Sequence, residues 1–292
     1  MQEIISKAEA LVETLPYLQR FLGATVVIKY GGSFLDSPDP AARRRFAEDI
    51  LFIQAVGMHP VVVHGGGKAV SAAMTAAGLT PRFVQGMRMT DTATMQVVER
   101  VLSQEINALI VKSITELGGQ ARGFSGREIF RCEKLLMRGP DGGEVDVGFV
   151  GNPTSIYGEL LSSCLRQGTI AVISPTARGA DGNLYNCNAD VAAARAAMTL
   201  KARRLVFMSD VPGLLRDPRD AGTMIARLRA GEVEGLKIKG VIDKGMIPKV
   251  DSAMTALEAG VERVSFVDGR LPHALLLEMF PGPFPGTEVV MD

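Results

Sequence analysis

Three separated groups of residues have the types and spacing to handle a phosphate. The first is Val26-Val27-Ile28-Lys29-Tyr30-Gly31-Gly32-Ser33. An apolar, β-branched run ends in a lysine, and a glycine pair follows. That pattern predicts a buried strand whose tip opens into a turn with bare backbone amides beside a cation. Glycine lets a backbone approach an anion closely, and N–H groups with an ammonium hold phosphate oxygens. The second is Val61-Val62-Val63-His64-Gly65-Gly66-Gly67, and the third is Lys249 in Gly245-Met246-Ile247-Pro248-Lys249. Phosphoryl transfer asks a protein mainly for in-line positioning and positive charge around the migrating group. Two lysines and several glycine amides can supply both. Two glycine-rich strand ends in one parallel sheet are a stronger signal than one, because open α/β sheets bind ligands at the carboxyl ends of their strands.

Other chemistries find less support. There is no Gly-x-x-x-x-Gly-Lys-Ser/Thr loop, no Gly-x-Gly-x-x-Gly and neither protein-kinase signature. The three cysteines, Cys132, Cys164 and Cys187, lie far apart and suit a reducing compartment. Three scattered histidines do not make a metal cluster, so no protein metal site is expected. Lys+Arg and Asp+Glu are both 32, and this balance argues against a general nucleic-acid or membrane-surface binder. No apolar run approaches the roughly 18–20 residues of a membrane span. Charges at Glu3, Lys7, Glu9 and Glu13 break any signal-peptide core. A soluble cytoplasmic protein is the expectation.

The elements that must carry these residues read as α/β. The 292 residues suffice for one large domain or two lobes. Strand 24–30, helix 40–57, strand 60–64 and a helix from Lys68 to Gly78 form a β-α-β-α unit, which implies a parallel sheet. Residues 81–90 are too polar for a core strand. Asp91 is placed to cap a long helix over 92–117. Segment 120–151 reads as short strands in a hairpin layer, with a turn at Pro140-Asp141-Gly142-Gly143. Asn152-Pro153-Thr154 is expected to open a helix to Gly168, followed by strand 169–174. Asn188 is placed to cap the alanine-rich helix 191–200. Strand 204–208, a helix over 223–231, helix 250–259, strand 262–267, helix 272–280 and a strand near 287–291 complete the chain. Residues 3–22 carry an apolar stripe on one helical face, interrupted by Pro16. Pattern alone favours packing of that helix on its own domain. His64 reads as a residue that bonds backbone at a strand end.

Seven stretches together carry a resemblance: 27–32 (Val-Ile-Lys-Tyr-Gly-Gly), 60–67 (Pro-Val-Val-Val-His-Gly-Gly-Gly), 86–91 (Gly-Met-Arg-Met-Thr-Asp), 186–190 (Asn-Cys-Asn-Ala-Asp), 209–215 (Ser-Asp-Val-Pro-Gly-Leu-Leu), 245–250 (Gly-Met-Ile-Pro-Lys-Val) and 273–278 (His-Ala-Leu-Leu-Leu-Glu). In this order the chain resembles the amino-acid-kinase family, and within it the members that phosphorylate the γ-carboxylate of N-acetyl-L-glutamate in arginine biosynthesis. The resemblance implies a three-layer αβα sandwich around a mainly parallel open sheet. It implies an oligomerisation helix at 1–22, an acceptor lobe at 23–200 and a nucleotide lobe at 201–292. The implied reaction uses ATP with Mg²⁺ and makes ADP and an acyl phosphate.

Carried over position by position, the resemblance gives Lys29 and Lys249 the migrating phosphoryl group, with Asp190 orienting them. Gly31, Gly32, Gly66 and Gly67 would donate N–H groups to the reacting oxygens. Arg88 would hold the α-carboxylate, with Asn186 beside it. Ser209, Asp210, Val211, Gly213, Leu214 and Met246 would line the nucleotide site. The members with an N-terminal helix are typically arginine-inhibited hexamers, which points to Tyr17, His273, Glu278 and Gly286 as effector residues. The chain departs from the family at Phe34, at Lys68, at Gly126-Arg127-Glu128 and in 280–287. Two rival readings stay open: a sibling kinase acting on another carboxylate or on carbamate, and a sensor of arginine or ATP without turnover.

Overall fold

The computed structural model describes residues 1–31, 40–138, 142–243, 245–279 and 285–291. The chain opens with α1 (Gln2–Phe21), β1 (Thr25–Tyr30), α2 (Pro40–Ala55), β2 (His59–His64) and α3 (Gly67–Ala76). A ribbon of β3 (Phe83–Val84) and β4 (Met87–Arg88) precedes α4 (Thr92–Glu99), a π-helical stretch Arg100–Ile106 and α5 (Asn107–Thr115). Next come β5 (Ala121–Phe124), α6 (Gly126–Ile129), β6 (Phe130–Arg138), β7 (Glu144–Ile156), α7 (Gly158–Arg166) and β8 (Ile170–Ile173). They are followed by β9 (Thr176–Gly179), β10 (Leu184–Cys187), α8 (Ala189–Thr199) and β11 (Arg204–Ser209). The last elements are β12 (Arg227–Arg229), α9 (Val233–Ile238), α10 (Ile247–Glu258), β13 (Arg263–Asp268), α11 (Ala274–Met279) and β14 (Gly286–Val290).

Eight strands form the central sheet in the order β12-β14-β13-β11-β1-β2-β8-β5. Every neighbouring pair is parallel except β13 and β14. The tips of β1, β2, β11, β13, β8 and β5 therefore open on one edge. Helices cover both faces, and each face has its own core. Val26, Ile28 and Tyr30 point toward α2, where Tyr30 stacks on Phe46 with centroids 3.7 Å apart. Val27 points the other way, toward α8 and α10. Strand side chains alternate faces, so Lys29 follows Val27. The family of alanines on α8 (Ala192, Ala193, Ala196 and Ala197, all buried) lets that helix lie close against β1. A small closed barrel, β10-β7-β6-β9, sits beside the sheet.

Several expectations need correction. No helix opens at Asn152: β7 runs on to Ile156, because Asn152 and Pro153 pair with Glu133 and Cys132 of β6. The 223–231 helix is instead two 3₁₀ turns flanking β12, where Leu228 is buried and pairs with Val289. β5 is not in a hairpin layer but forms the sheet edge beside β8. The expected helix over 92–117 runs continuously from Thr92 to Thr115, but its middle, Arg100–Ile106, is wound as π-helix. Residues 140 and 141 of the expected turn at 140–143 lie outside the described residues. Asp91 does cap α4, accepting from the Thr94 N–H at 2.7 Å. α1 runs through Pro16 as one helix, and Leu18 and Phe21 near its end pack on the core, while Ile4, Leu11 and Val12 are exposed. No helix among the described residues is long and apolar enough to cross a membrane.

Candidate active site

Lys29 and Lys249 are 220 positions apart in the chain, and they meet on one carboxylate. Lys29 Nζ lies 3.0 Å from Asp190 Oδ1, and Lys249 Nζ lies 2.9 Å from Asp190 Oδ2. Asp190 is in the first turn of α8, held by Asn188, whose Oδ1 accepts from the Asp190 and Val191 N–H groups at 2.7 and 3.4 Å. Asn188 is thus the expected cap. Lys249 comes from the first turn of α10, which packs on α8.

Lys29 and Asp190 are buried and Lys249 is partly so, and burial shapes the electrostatics. Desolvation would raise the Asp190 carboxyl, but the Lys29 and Lys249 charges more than reverse it and hold it at about 2. Burial lowers Lys29, Asp190 raises it in part, and Lys249 lowers it again, leaving it below the usual lysine value. Ionised, the trio carries one net positive charge in a site shielded from water. Such a site favours an anion that gathers charge during reaction.

Two cavities abut at Lys29, which lines both. The first, about 270 Å³, is walled by Gly65, Gly66, Gly67, Arg88, Asn186 and Asp190, with Val70, Leu102 and Val150 as apolar lining. Arg88 is buried there, and among the described residues it has no carboxylate partner. Its Nη2 donates to the Gly67 carbonyl and to Ser71 Oγ, both at 2.8 Å, and its guanidinium lies 4.7 Å from the Phe83 ring centroid. A buried, uncompensated guanidinium is a receptor for a carboxylate. Asn186 Nδ2 reaches Thr90 Oγ1 at 3.5 Å.

The second cavity, about 410 Å³, is lined by Ser209, Asp210, Val211, Gly213, Leu214 and Met246, with Lys249 at its inner end. Gly213 has φ +145, and an added Cβ would meet Thr287 Oγ1 at 2.8 Å. Thr287 Oγ1 accepts from the Leu214 N–H at 2.8 Å and so fixes this loop to β14.

Gly31 follows β1 directly, with the Lys29 side chain folded over it: a Cβ there would lie 2.5 Å from Nζ. Gly32 and Phe34 lie outside the described residues. Lys68, the other departure near the site, is exposed on the first turn of α3.

The four effector candidates lie on different elements. His273 precedes α11 and pairs with Asp49 of α2. Glu278, near the other end of α11, is buried; its Oε1 accepts from Ser265 Oγ at 2.8 Å and lies 3.7 Å from Arg204 Nε. Burial raises the Glu278 carboxyl, and Arg204 opposes that. Tyr17 is half-buried on α1, and Gly286 is buried at the start of β14.

Asp243 and Phe83 are among the lining residues that escaped the sequence reading. Asp243 lines the second cavity and accepts from the Gly245 and Met246 N–H groups at 3.0 and 3.2 Å. The signal was an Asp two residues before a glycine and five before Pro248, an Asx-turn pattern ahead of a helix. Phe83, stacked on Arg88, left no sequence signal.

Comparisons agree with this architecture. The model of the "Amino acid kinase family" matches residues 24–268. The chain is 44% identical over 289 residues to an acetylglutamate kinase of Pelotomaculum thermopropionicum, covering 97% of each chain. It is 44% identical over 282 residues to an acetylglutamate kinase of Desulfitobacterium hafniense, covering 94% of each. Among solved structures, an N-acetylglutamate synthase from Neisseria gonorrhoeae superposes with a TM-score of 0.84 at 24% identity. That match takes in 98% of this chain and 63% of the synthase chain, and it speaks to the fold alone. With these matches across nearly its whole length, the chain belongs to the amino acid kinase family.

Proposed function

We propose that this protein moves the γ-phosphoryl group of ATP to the γ-carboxylate of N-acetyl-L-glutamate, giving ADP and an acyl phosphate. The observation that carries the proposal is the meeting of Lys29 and Lys249 on Asp190 where two cavities abut. The acceptor takes the first cavity, its α-carboxylate on Arg88 and Asn186. ATP takes the second, so the first lobe (23–200) presents the acceptor and the second (201–292) the nucleotide. Its γ-phosphoryl then passes between the two ammonium groups. No general base is needed, because a carboxylate is already ionised at neutral pH. Asp190 keeps both lysines aimed, and the amides of Gly31, Gly32, Gly66 and Gly67 receive oxygens that gain charge.

The second cavity offers hard oxygen donors in Asp210 and Asp243, which suit Mg²⁺ carried in on the ATP phosphates or its waters. When bound, the metal neutralises phosphate charge. The proposal extends to a cytoplasmic hexamer joined through α1 and inhibited by arginine. The exposed apolar stripe of α1 supports the first part. An arginine reaching Glu278 would have to displace the Arg204 contact.

ADP release is the test, with N-acetyl-L-glutamate, N-acetyl-aminoadipate, carbamate and free glutamate as acceptors, and with hydroxylamine to trap acyl phosphate. Turnover and trapping with N-acetyl-L-glutamate alone are expected. A preference for another acceptor, or ATP binding without ADP, would sink the proposal.

A further inference from the structure

One buried pair beside the acceptor cavity takes no part in the chemistry above. His64 ends β2 and is fully buried, with Nδ1 2.8 Å from the Gly65 carbonyl oxygen. A carbonyl only accepts, so Nδ1 carries the proton and donates. Nε2 lies 3.3 Å from Nδ2 of Asn107, which is also buried. The same Nδ2 donates to the Val172 carbonyl at 3.0 Å and reaches the Phe124 carbonyl at 3.4 Å. A flipped amide would set Oδ1 against two carbonyl oxygens, so the chemistry fixes its orientation. Nδ2 therefore meets Nε2 as donor to acceptor, which requires the neutral Nδ1–H tautomer. Burial works in the same direction and pushes the His64 ring down to about 4.

The π-helical stretch puts Asn107 there. The Asn107 N–H closes on the Leu102 carbonyl, five residues back. The same segment seats Leu102 and Ile106 on Gly66, where an added Cβ would fall 2.6 and 2.4 Å from their methyl carbons. Gly123 leaves room for the amide: a Cβ there would lie 2.0 Å from Asn107 Oδ1. Single π turns inside α-helices are rare and concentrate at functional sites.

Peptide geometry links the pair to the cavity. In a trans peptide the C=O and the following N–H point in opposite directions. Holding the Gly65 carbonyl on the His64 ring turns the Gly66 N–H away from it. Among the described residues that N–H has no acceptor, and Gly65, Gly66 and Gly67 line the acceptor cavity. We propose that His64 and Asn107 are positioning residues for phosphoryl transfer: the His64 Nδ1–H pins the Gly65 carbonyl and so aims the Gly66 N–H at the reacting oxygens, while Asn107 holds the ring in the tautomer that can do this. The inference rests on the assignment of the Gly66 turn to the phosphoryl site.

Two substitutions at His64 separate aiming from packing. Asparagine puts its Nδ2 where histidine has Nδ1, whereas leucine fills the space without a donor. His64→Leu is expected to lower kcat roughly 10- to 100-fold with KM values within about twofold, and His64→Asn to recover most of the loss. A lower thermal midpoint with unchanged kcat per folded molecule in both variants would overturn the proposal. A loss equal in both variants would overturn it too. Should the leucine variant not fold, nitrogen-15 spectra of the imidazoles in the unaltered chain still decide. The expected His64 signal is the neutral Nδ1–H form throughout about pH 6 to 8. An Nε2–H form, or a ring titrating near the ordinary value of about 6.5, refutes the assignment. Lys29→Met in the same assay tells the two readings apart. If it turns over normally, the site reading fails and the proposal falls with it. If it is inactive while His64→Leu is normal, only the positioning role is lost.

Discussion

At the scale of single residues, the site is three charges, of which Asp190 is held low by the two lysines and Lys29 is lowered chiefly by burial. Lys29 is useful only as an ammonium, and its folded-state pKa lies below the usual lysine value, with burial as the largest cause. As pH rises, the folded protein gives up this proton before an ordinary lysine would. The alkaline limb of kcat/KM is therefore expected below about 10.4, the free lysine value. Asp190 partly offsets the burial, so Asp190→Asn should push the limb lower still in whatever activity remains. A limb at the free lysine value in the unaltered enzyme contradicts this reading of Lys29. Lys29→Met should cut kcat by about 10³-fold without unfolding the protein, since a charge in contact with the reaction is lost. Arg88 acts on the part of the acceptor that does not react. Arg88→Lys keeps the charge but not the planar fork, so KM for the acceptor should rise by roughly 10-fold or more, with a smaller change in kcat. A change confined to kcat would place Arg88 on the phosphoryl group instead.

At the scale of elements, two glycines make opposite predictions from the same substitution. At Gly31 an added Cβ meets the far end of the flexible Lys29 side chain, so Gly31→Ala should fold near-normally and lose activity as Nζ is displaced. At Gly66, φ is +154 and the new carbon would strike Leu102 and Ile106 in the core, so Gly66→Ala should cost stability, on the order of 1–3 kcal/mol. Chemical denaturation paired with initial rates distinguishes the two. Much of this layout was legible beforehand. Lys29 and the glycine pair sit where an apolar strand runs out, and Asn188 and Asp91 carry ordinary cap chemistry. What failed has physical causes. Asn152-Pro153-Thr154 has the local signature of a helix start, yet pairing with β6 keeps it extended. The π-helical stretch is invisible to apolar periodicity, because one wide turn leaves Val98, Val101, Leu102 and Ile106 all buried. The convergence of Lys29 and Lys249 depends on α8 and α10 packing on one face of the sheet, and no local pattern encodes that. The family resemblance supplied it.

At the scale of the whole molecule, α1 carries a long exposed apolar stripe. Its last residues are tied down, with Phe21 beneath the Arg203 and Arg204 guanidiniums, at 5.0 and 4.9 Å from its ring centroid. Farther toward its start, Ile4, Leu11 and Val12 are 66%, 67% and 70% exposed, and Ile5 and Leu15 extend the same stripe. An apolar face of that length is unfavourable in water and would be satisfied by a matching face on another copy, as the proposed assembly requires. Removing residues 1–15 spares Leu18 and Phe21, so the core should remain intact. Both cavities are lined by residues from Lys29 onward, so kcat should persist. If α1 joins dimers into the proposed hexamer, the truncated chain should sediment as dimers, because trimers of dimers joined through this helix would lose their joint. The proposed arginine inhibition should weaken in the same preparation, since Tyr17 would lose the helix pairing proposed to anchor it. A truncated chain that still sediments as the full assembly would put the contact elsewhere and leave the exposed stripe of α1 without a partner.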